Sequence, residues 1–187
     1  MLYWLTEQPN VQLILGNHEA MLLSCEFIFE EITSESIDKL DENKIELLNN
    51  YMLDGGSVTL KGLKKLTKEQ RKYVLEYLHD CPLYETVSVN GHDYLLVHSG
   101  IDNFDPEKPL EDYTPDELLW AWPDLEDSYY TDIITIFGHT PTKSFGEEYR
   151  GKILRTKTWI DIDVGAGFGE EPVLFRQDDE KEFCLKS

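Results

Sequence analysis

Three apolar runs of the sequence end at polar residues that can bind a metal ion. The run at residues 11–15 is followed by Asn17 and His18, the second run ends at His98, and the third ends at His139. Two imidazole nitrogens and an amide oxygen suit a divalent transition metal such as Mn, Fe or Zn better than Mg or Ca. In open α/β sheets ligands collect beyond the carboxyl ends of strands, so folding could bring these residues together. A histidine just past a strand is also often only a hydrogen-bonded loop residue, and that alternative stays open here.

The elements that would position these residues alternate along the chain. Short β-like runs between amphipathic stretches predict an α/β or α+β architecture. The predicted strands are residues 11–15, 84–89, 92–97, 133–137, 158–164 and 172–176. Asn90-Gly91, between two of these runs, is a strong hairpin signal. The sequence contains no internal repeat and no convincing linker, so we expect a single domain over residues 1–187.

Local signals also predict the helices. Residues 20–31 have the length and residue types of a helix, and residues 33–50 predict one or two solvent-facing helices. Capping-box patterns at Thr67 and Thr114 mark the starts of two more. The glycines of DGG at residues 54–56 interrupt the helical pattern and predict a loop.

Three short motifs resemble those of a known enzyme family. GNHE at residues 16–19, HSG at 98–100 and GHT at 138–140, in this order, resemble the calcineurin-like metallophosphoesterases, and the bacterial Ser/Thr phosphoprotein phosphatase branch in particular. The DGG loop and WIDIDVGAGFG at residues 159–169 also look like this branch. The resemblance covers essentially the whole chain and implies a mixed β-sandwich flanked by helices.

Two further motifs of the same family do not occur in this sequence. Members of the family carry the motifs GDxHG and GDxxDRG ahead of GNHE, and neither occurs in this sequence. We therefore expect an N-terminally incomplete metallophosphoesterase domain without its first strands. Such a chain would carry only the second-metal half of a dinuclear site and would be inactive alone. A bare sheet edge would also favour self-association.

Site roles follow from the resemblance. It implies that Asn17, His98 and His139 bind one metal ion and that His18 is the general acid. Two divalent ions, Mn most readily and Fe or Zn otherwise, would activate water and neutralise the phosphoryl oxygens. A histidine whose pKa lies near neutrality suits proton donation to a leaving alkoxide.

The expected reaction is metal-dependent hydrolysis of phosphomonoesters. The substrate would be a phosphorylated protein or a small phosphoester. Two alternatives stay open: a non-catalytic binding or regulatory remnant of the fold, and a dinucleoside polyphosphate hydrolase, which uses the same motifs.

Other residues have plainer interpretations. We expect Glu19 to open the helix after the first run, where a carboxylate complements the helix dipole. His79 and His92 are interpreted as surface residues. Asp161 and Asp163 alternate with isoleucines and predict a half-exposed strand, although metal ligation by these carboxylates stays open.

The tryptophans Trp120 and Trp122 are interpreted as core. In relatives, an arginine in or shortly after such a segment often contacts phosphate. Trp122 occupies one plausible place for that arginine, so the resemblance gives no second phosphate anchor here.

Composition excludes several classes of protein. There are 37 Asp and Glu against 17 Lys and Arg, a formal net charge of −20 that would repel nucleic acid and anionic membrane surfaces. Three cysteines without CxxC spacing argue against a disulfide scaffold, and the N-terminal residues lack a secretory pattern. We therefore expect a cytoplasmic protein with no nucleic-acid or membrane partner.

Overall fold

The computed structural model describes residues 2–31 and 33–184. The chain divides into two compact units, residues 1–81 and 82–187. The prediction of a single domain over the whole chain remains a prediction.

The first unit is helical. Its α-helices are α1 Leu2–Thr6, α2 Asn17–Ser24, α3 Ser34–Asp38, α4 Glu42–Leu53, α5 Ser57–Leu63 and α6 Lys68–His79, and a 3₁₀ turn spans Glu26–Phe29. They enclose a core of Leu22, Cys25, Tyr51, Leu60, Leu63, Val74 and Leu78. The predicted capping box is confirmed, because Thr67 Oγ1 accepts from the Gln70 N–H and Gln70 Oε1 accepts from the Thr67 N–H.

The predicted strand at residues 11–15 is wrong. These residues, half-buried apart from the exposed Gln12, form no regular secondary structure in the described chain. An apolar run supplies the side chains of a buried strand, but a strand also needs a neighbour that completes its backbone hydrogen bonds. The helix predicted over residues 20–31 begins earlier, at Asn17, and gives way to the 3₁₀ turn after Ser24.

The second unit is built on a mixed sheet. Its strands are β1 Tyr84–Val89, β2 His92–Val97, β3 Ile134–Phe137, β4 Leu154–Arg155, β5 Trp159–Asp161, β6 Val173–Arg176 and β7 Lys181–Cys184, and its α-helix is α7 Pro115–Leu119. The five-stranded sheet has the order β1-β2-β3-β5-β4. β3 runs parallel to β2 and β5, whereas the β1–β2 and β4–β5 pairs are antiparallel.

The hairpin prediction is confirmed residue for residue. β1 and β2 pair from Tyr84 with Val97 to Val89 with His92. Asn90 and Gly91 form the turn with φ of 53° and 81°. Two successive positive φ values give the turn whose twist matches that of the flanking strands, and Asn-Gly tolerates them best.

Both faces of the central strands are buried. One face carries Leu95, Phe137 and Trp159 in one apolar cluster, and the opposite face carries Tyr94 and Ile136 in another. β6 and β7 form a separate hairpin whose Val173 and Phe175 pack against the second cluster.

In its coarse form the predicted fold class is confirmed, because the chain is mixed α/β with a five-stranded mixed sheet. None of the helices in the described part of the chain combines the length and apolar character that crossing a membrane requires.

Candidate metal site

Two of the predicted site histidines lie side by side in the second unit. β2 and β3 are adjacent and parallel, with Leu96 opposite Ile136, so their carboxyl ends reach the same edge of the sheet. The Gly138 N–H donates to the His98 carbonyl at 3.0 Å and continues the pairing by one step. The imidazole rings of His98 and His139 have centroids 5.0 Å apart and an interplanar angle of 61°.

A strained turn holds His139. Its φ is 70°, in the left-handed region that side chains other than glycine rarely adopt. The Thr140 N–H donates to the Gly138 carbonyl at 2.8 Å, two residues back. This bond and the positive φ at the central residue define the rarer, strained form of γ-turn. Strain of this kind costs on the order of 1–3 kcal/mol and is found most often at functional sites.

The separation of the two rings fits a shared metal ion. A bond of about 2.0–2.1 Å from zinc to an imidazole nitrogen puts the ring centroid roughly 3.2 Å from the ion. Two rings that share an ion at about 90–110° then have centroids roughly 4.5–5.2 Å apart. The observed 5.0 Å falls within this range.

The described residues contain no group of three or more His, Cys, Asp or Glu side chains placed to hold a metal ion. The set predicted from the sequence has two histidines and an asparagine, so that finding does not decide the prediction.

Asn17 and His18 lie in the first unit, at the start of α2. Gly16, with φ −102° and ψ 168°, is the extended residue that precedes the helix. Asn17 is 5% exposed, whereas its neighbour His18 is exposed. Glu19 lies in the first turn of the helix, as predicted. That Asn17 converges with His98 and His139 on one ion remains a prediction.

The two tryptophans that the sequence placed in the core are on the surface. Trp120 is 40% exposed and Trp122 is 64% exposed. Their rings meet the His139 ring edge to face, with centroids 5.9 and 5.6 Å away. The prediction failed because aromatic residues in an apolar run pack in cores by default, and only the fold shows that these two border a histidine pair.

Ser99 fixes the backbone that carries these tryptophans. It is fully buried, and its hydroxyl donates to the Leu118 carbonyl at 2.8 Å while accepting from the Ala121 N–H at 2.9 Å. The start of this segment is held by the confirmed capping box at Thr114, where Glu117 Oε2 accepts from the Thr114 N–H at 2.8 Å. The residue after His98 therefore positions the aromatic rings around His139.

The half-exposed strand predicted around Asp161 is wrong. Asp161 has no exposed surface, whereas Ile162, which the pattern placed on an apolar face, is 38% exposed. Asp161 is the last residue of β5, and the alternation of faces does not continue beyond it. Its Oδ1 accepts from the Asp163 N–H at 2.8 Å, but its Oδ2 has no hydrogen-bond partner within the described residues.

Burial changes the acidity of this carboxyl group. It raises the pKa of Asp161 to about 8, an effect that the nearby charge of Asp163 increases and the Asp163 N–H partly offsets. Asp161 is therefore largely protonated at neutral pH. The alternation of aspartate and isoleucine in the sequence gave no sign that the carboxyl group of Asp161 is buried at the end of a sheet strand.

The remaining histidines are surface residues, as predicted. His92 is exposed at the start of β2. His79 is exposed at the end of α6, and its Nε2 lies 3.1 Å from Glu26 Oε2. Both serve as controls for the histidines of the candidate site.

Comparison with known proteins adds no assignment. The chain matches no protein-family model, and no curated protein matches it significantly.

Proposed function

We propose that this chain is a metal-dependent phosphoesterase of the calcineurin-like type, hydrolysing phosphomonoesters as a Ser/Thr protein phosphatase does. The observation that carries the proposal is the His98–His139 pair, two imidazoles from adjacent strand ends at a separation that fits one shared ion. The family resemblance of GNHE, HSG and GHT supplies the reaction type. The calcineurin-like β-sandwich, as the finer description of the fold, belongs to the same proposal.

The charges of the second unit support a requirement for metal. Hydrolysis of a phosphoester needs positive charge beside the phosphoryl oxygens, and the chain as a whole is strongly acidic. The arginines nearest in sequence to the third motif are engaged elsewhere: Arg150 pairs with Glu170 and Arg155 pairs with Glu182, each at 2.7 Å. A bound divalent cation would supply the missing charge.

Each of four residues has a proposed role. Asn17, His98 and His139 would hold the ion, and His18 would donate a proton to the leaving alkoxide. Bound metal of this kind acts as a Lewis acid and lowers the pKa of bound water. His18 is suited to proton donation because it is exposed, and so can exchange protons with solvent, while the adjacent Asn17 is buried.

Metal binding is the first test, because it needs only residues of this chain. Titration of the full chain with Mn²⁺ by calorimetry should show one site, and His98→Ala or His139→Ala should weaken binding at least tenfold. His92→Ala and His79→Ala are matched controls that remove exposed histidines and should leave binding unchanged. Equal Mn²⁺ affinity in all four variants would rule out the proposed site.

Turnover is the second test. The chain is incubated with Mn²⁺ and p-nitrophenyl phosphate, and the rate is compared with a metal-only control. The resemblance implies further metal ligands in the motifs GDxHG and GDxxDRG, which do not occur in this sequence, so we expect little turnover from this chain by itself. Turnover that His18→Ala lowers by about 10²–10⁴-fold would support the general-acid role and show that the chain suffices.

A further inference from the structure

A small cavity lies beside the candidate site, wholly within the second unit. Its volume is about 270 Å³, and its lining includes Trp122, Asp124, Glu126, Thr140, Ser144 and Phe145. This is slightly below the size range of typical small-molecule pockets, so it would admit one ring system rather than a whole ligand.

The cavity is connected to the histidine pair through two of its lining residues. Thr140 directly follows His139, and the Trp122 ring centroid lies 5.6 Å from that of His139. A phosphoester bound at His98 and His139 would therefore have this cavity within reach of its leaving group. The indole of Trp122 is 64% exposed on a backbone that Ser99 holds in place, so it is already available for stacking.

The chemistry of the lining selects the part of the substrate that it can accept. Trp122 and Phe145 offer aromatic surface, on which a planar ring gains about 1–3 kcal/mol by stacking. Asp124 and Glu126 are carboxylates and would repel a phosphoryl group, so the phosphate cannot be the group that enters. We propose that this cavity binds an aromatic ring in the leaving group of the phosphoester, with Trp122 as its stacking platform.

This inference rests on the proposed phosphoesterase function, since it assigns a ring to that substrate's leaving group. The ring could come from a phenol ester or from the base of a nucleotide. Both carry a planar aromatic system in the leaving group, joined to the phosphate directly in a phenol ester and through ribose in a nucleotide, and separate arms of the experiment distinguish them.

The experiment measures binding to the full chain by calorimetry with Mn²⁺ present, and needs no turnover. One arm compares phenylphosphonate with cyclohexylphosphonate, which matches its size but lacks the aromatic ring. The other compares adenosine 5′-monophosphate with ribose 5-phosphate. We expect the aromatic ligand to bind about tenfold more tightly in at least one arm, and the arm that shows the preference identifies the source of the ring.

Three substitutions test the role of Trp122. Trp122→Ala should abolish the aromatic preference, and Trp122→Phe should retain most of it. Trp4→Ala removes an equally exposed tryptophan of the first unit and should change nothing. Because Trp122 is on the surface, none of these changes should prevent folding, which near-UV circular dichroism can confirm.

The outcomes separate this inference from the function on which it rests. Equal affinity for the aromatic and saturated ligands in both arms, no binding of any of them, or a preference that survives Trp122→Ala, overturns the ring site. Hydrolysis of p-nitrophenyl phosphate with no aromatic preference would leave the function standing and the ring site refuted. A Trp122-dependent preference in a chain whose Mn²⁺ affinity is unchanged by His98→Ala and His139→Ala would support the ring site and count against the proposed function.

Discussion

The imidazole rings of His98 and His139 lie 5.0 Å apart, although 40 residues separate them in the sequence. Two parallel strands end beside each other, and the hydrogen bond from the Gly138 N–H to the His98 carbonyl sets the spacing of the two turns. The second turn is strained at His139, where φ is 70°. Strain of this kind is found most often at functional sites, which agrees with the metal-binding role proposed for His139.

Bound metal should stabilise the chain through this pair. A ligand present at about 100 times its dissociation constant stabilises the native state by about 2.7 kcal/mol, which raises the Tm of a chain of this size by roughly 5–10 °C. We expect this shift when Mn²⁺ is added, and its reversal by a chelator, in a thermal melt followed by circular dichroism. His98→Ala and His139→Ala should each remove most of it. The double variant should lose little more than either single one, because both act on one ion. A full shift in the double variant would place the metal elsewhere.

Asp161 should make the chain less stable as pH rises from about 4 to about 8. The folded chain holds a proton on this carboxyl group up to a pKa of about 8, whereas the unfolded chain loses it near the ordinary value of 3.8. Within this window the folded state binds more protons than the unfolded state, so the free energy of unfolding falls with rising pH. The loss is about 6 kcal/mol at most across the window.

Urea denaturation of the wild type and Asp161→Asn at pH 5 and pH 8 isolates this effect. Asparagine has nearly the same shape and does not titrate, so the difference between the two proteins should change sharply between the two pH values. Asp163→Asn removes the neighbouring charge and should reduce the effect only modestly. A constant difference between the wild type and Asp161→Asn would contradict a raised pKa.

Removing the Ser99 hydroxyl should loosen the aromatic wall around His139. In Ser99→Ala the buried Ala121 N–H loses its acceptor, at a cost of about 1–3 kcal/mol in the free energy of unfolding. We also expect the fluorescence of Trp120 and Trp122 to become more accessible to a neutral quencher such as acrylamide. Ser128→Ala, at an exposed position, is the control and should leave both measurements unchanged. Stability lost with no change in quenching would show that Ser99 does not position the tryptophans.

Gly100 should tolerate a side chain less well than Gly55, although both have nearly the same φ. Their φ values are 94° and 93°, so alanine is strained at both positions. A Cβ at Gly100 would lie 2.6 Å from the Tyr129 hydroxyl oxygen, whereas a Cβ at Gly55 meets no atom within 4 Å. Tyr129 is buried and its oxygen accepts from the Ile101 N–H at 3.1 Å, so it cannot simply move away.

We therefore expect Gly55→Ala to lower the free energy of unfolding by about 1 kcal/mol and Gly100→Ala to lower it by about 2–3 kcal/mol. Thermal and urea unfolding of the two variants measure the difference. Equal costs would mean that the contact with Tyr129 relaxes without strain.

Much of the local structure could be predicted because its causes are local. The capping boxes at Thr67 and Thr114 and the Asn90-Gly91 turn each depend on residues within three positions of one another. The strand predicted at residues 11–15 failed for the opposite reason, since its formation depends on a partner strand that the apolar run does not encode.

The candidate site could be predicted only as residue types at the ends of apolar runs. For His98 and His139 that was enough, because parallel neighbouring strands bring their ends together. The exposure of Trp122 and the burial of Asp161 could not be predicted. Both patterns, an apolar tryptophan segment and an alternating aspartate, have a commoner interpretation that is correct in most proteins.

By itself the sequence determined the helix starts at Thr67 and Thr114, the hairpin and the identity of the chemistry-bearing residues, because these depend on neighbours along the chain. Only the tertiary structure decided that β3 lies beside β2, that Trp122 borders His139 and that a carboxyl group lies within the sheet. The physical reason is that burial and side-chain proximity depend on residues far apart in sequence, whose positions no local pattern specifies.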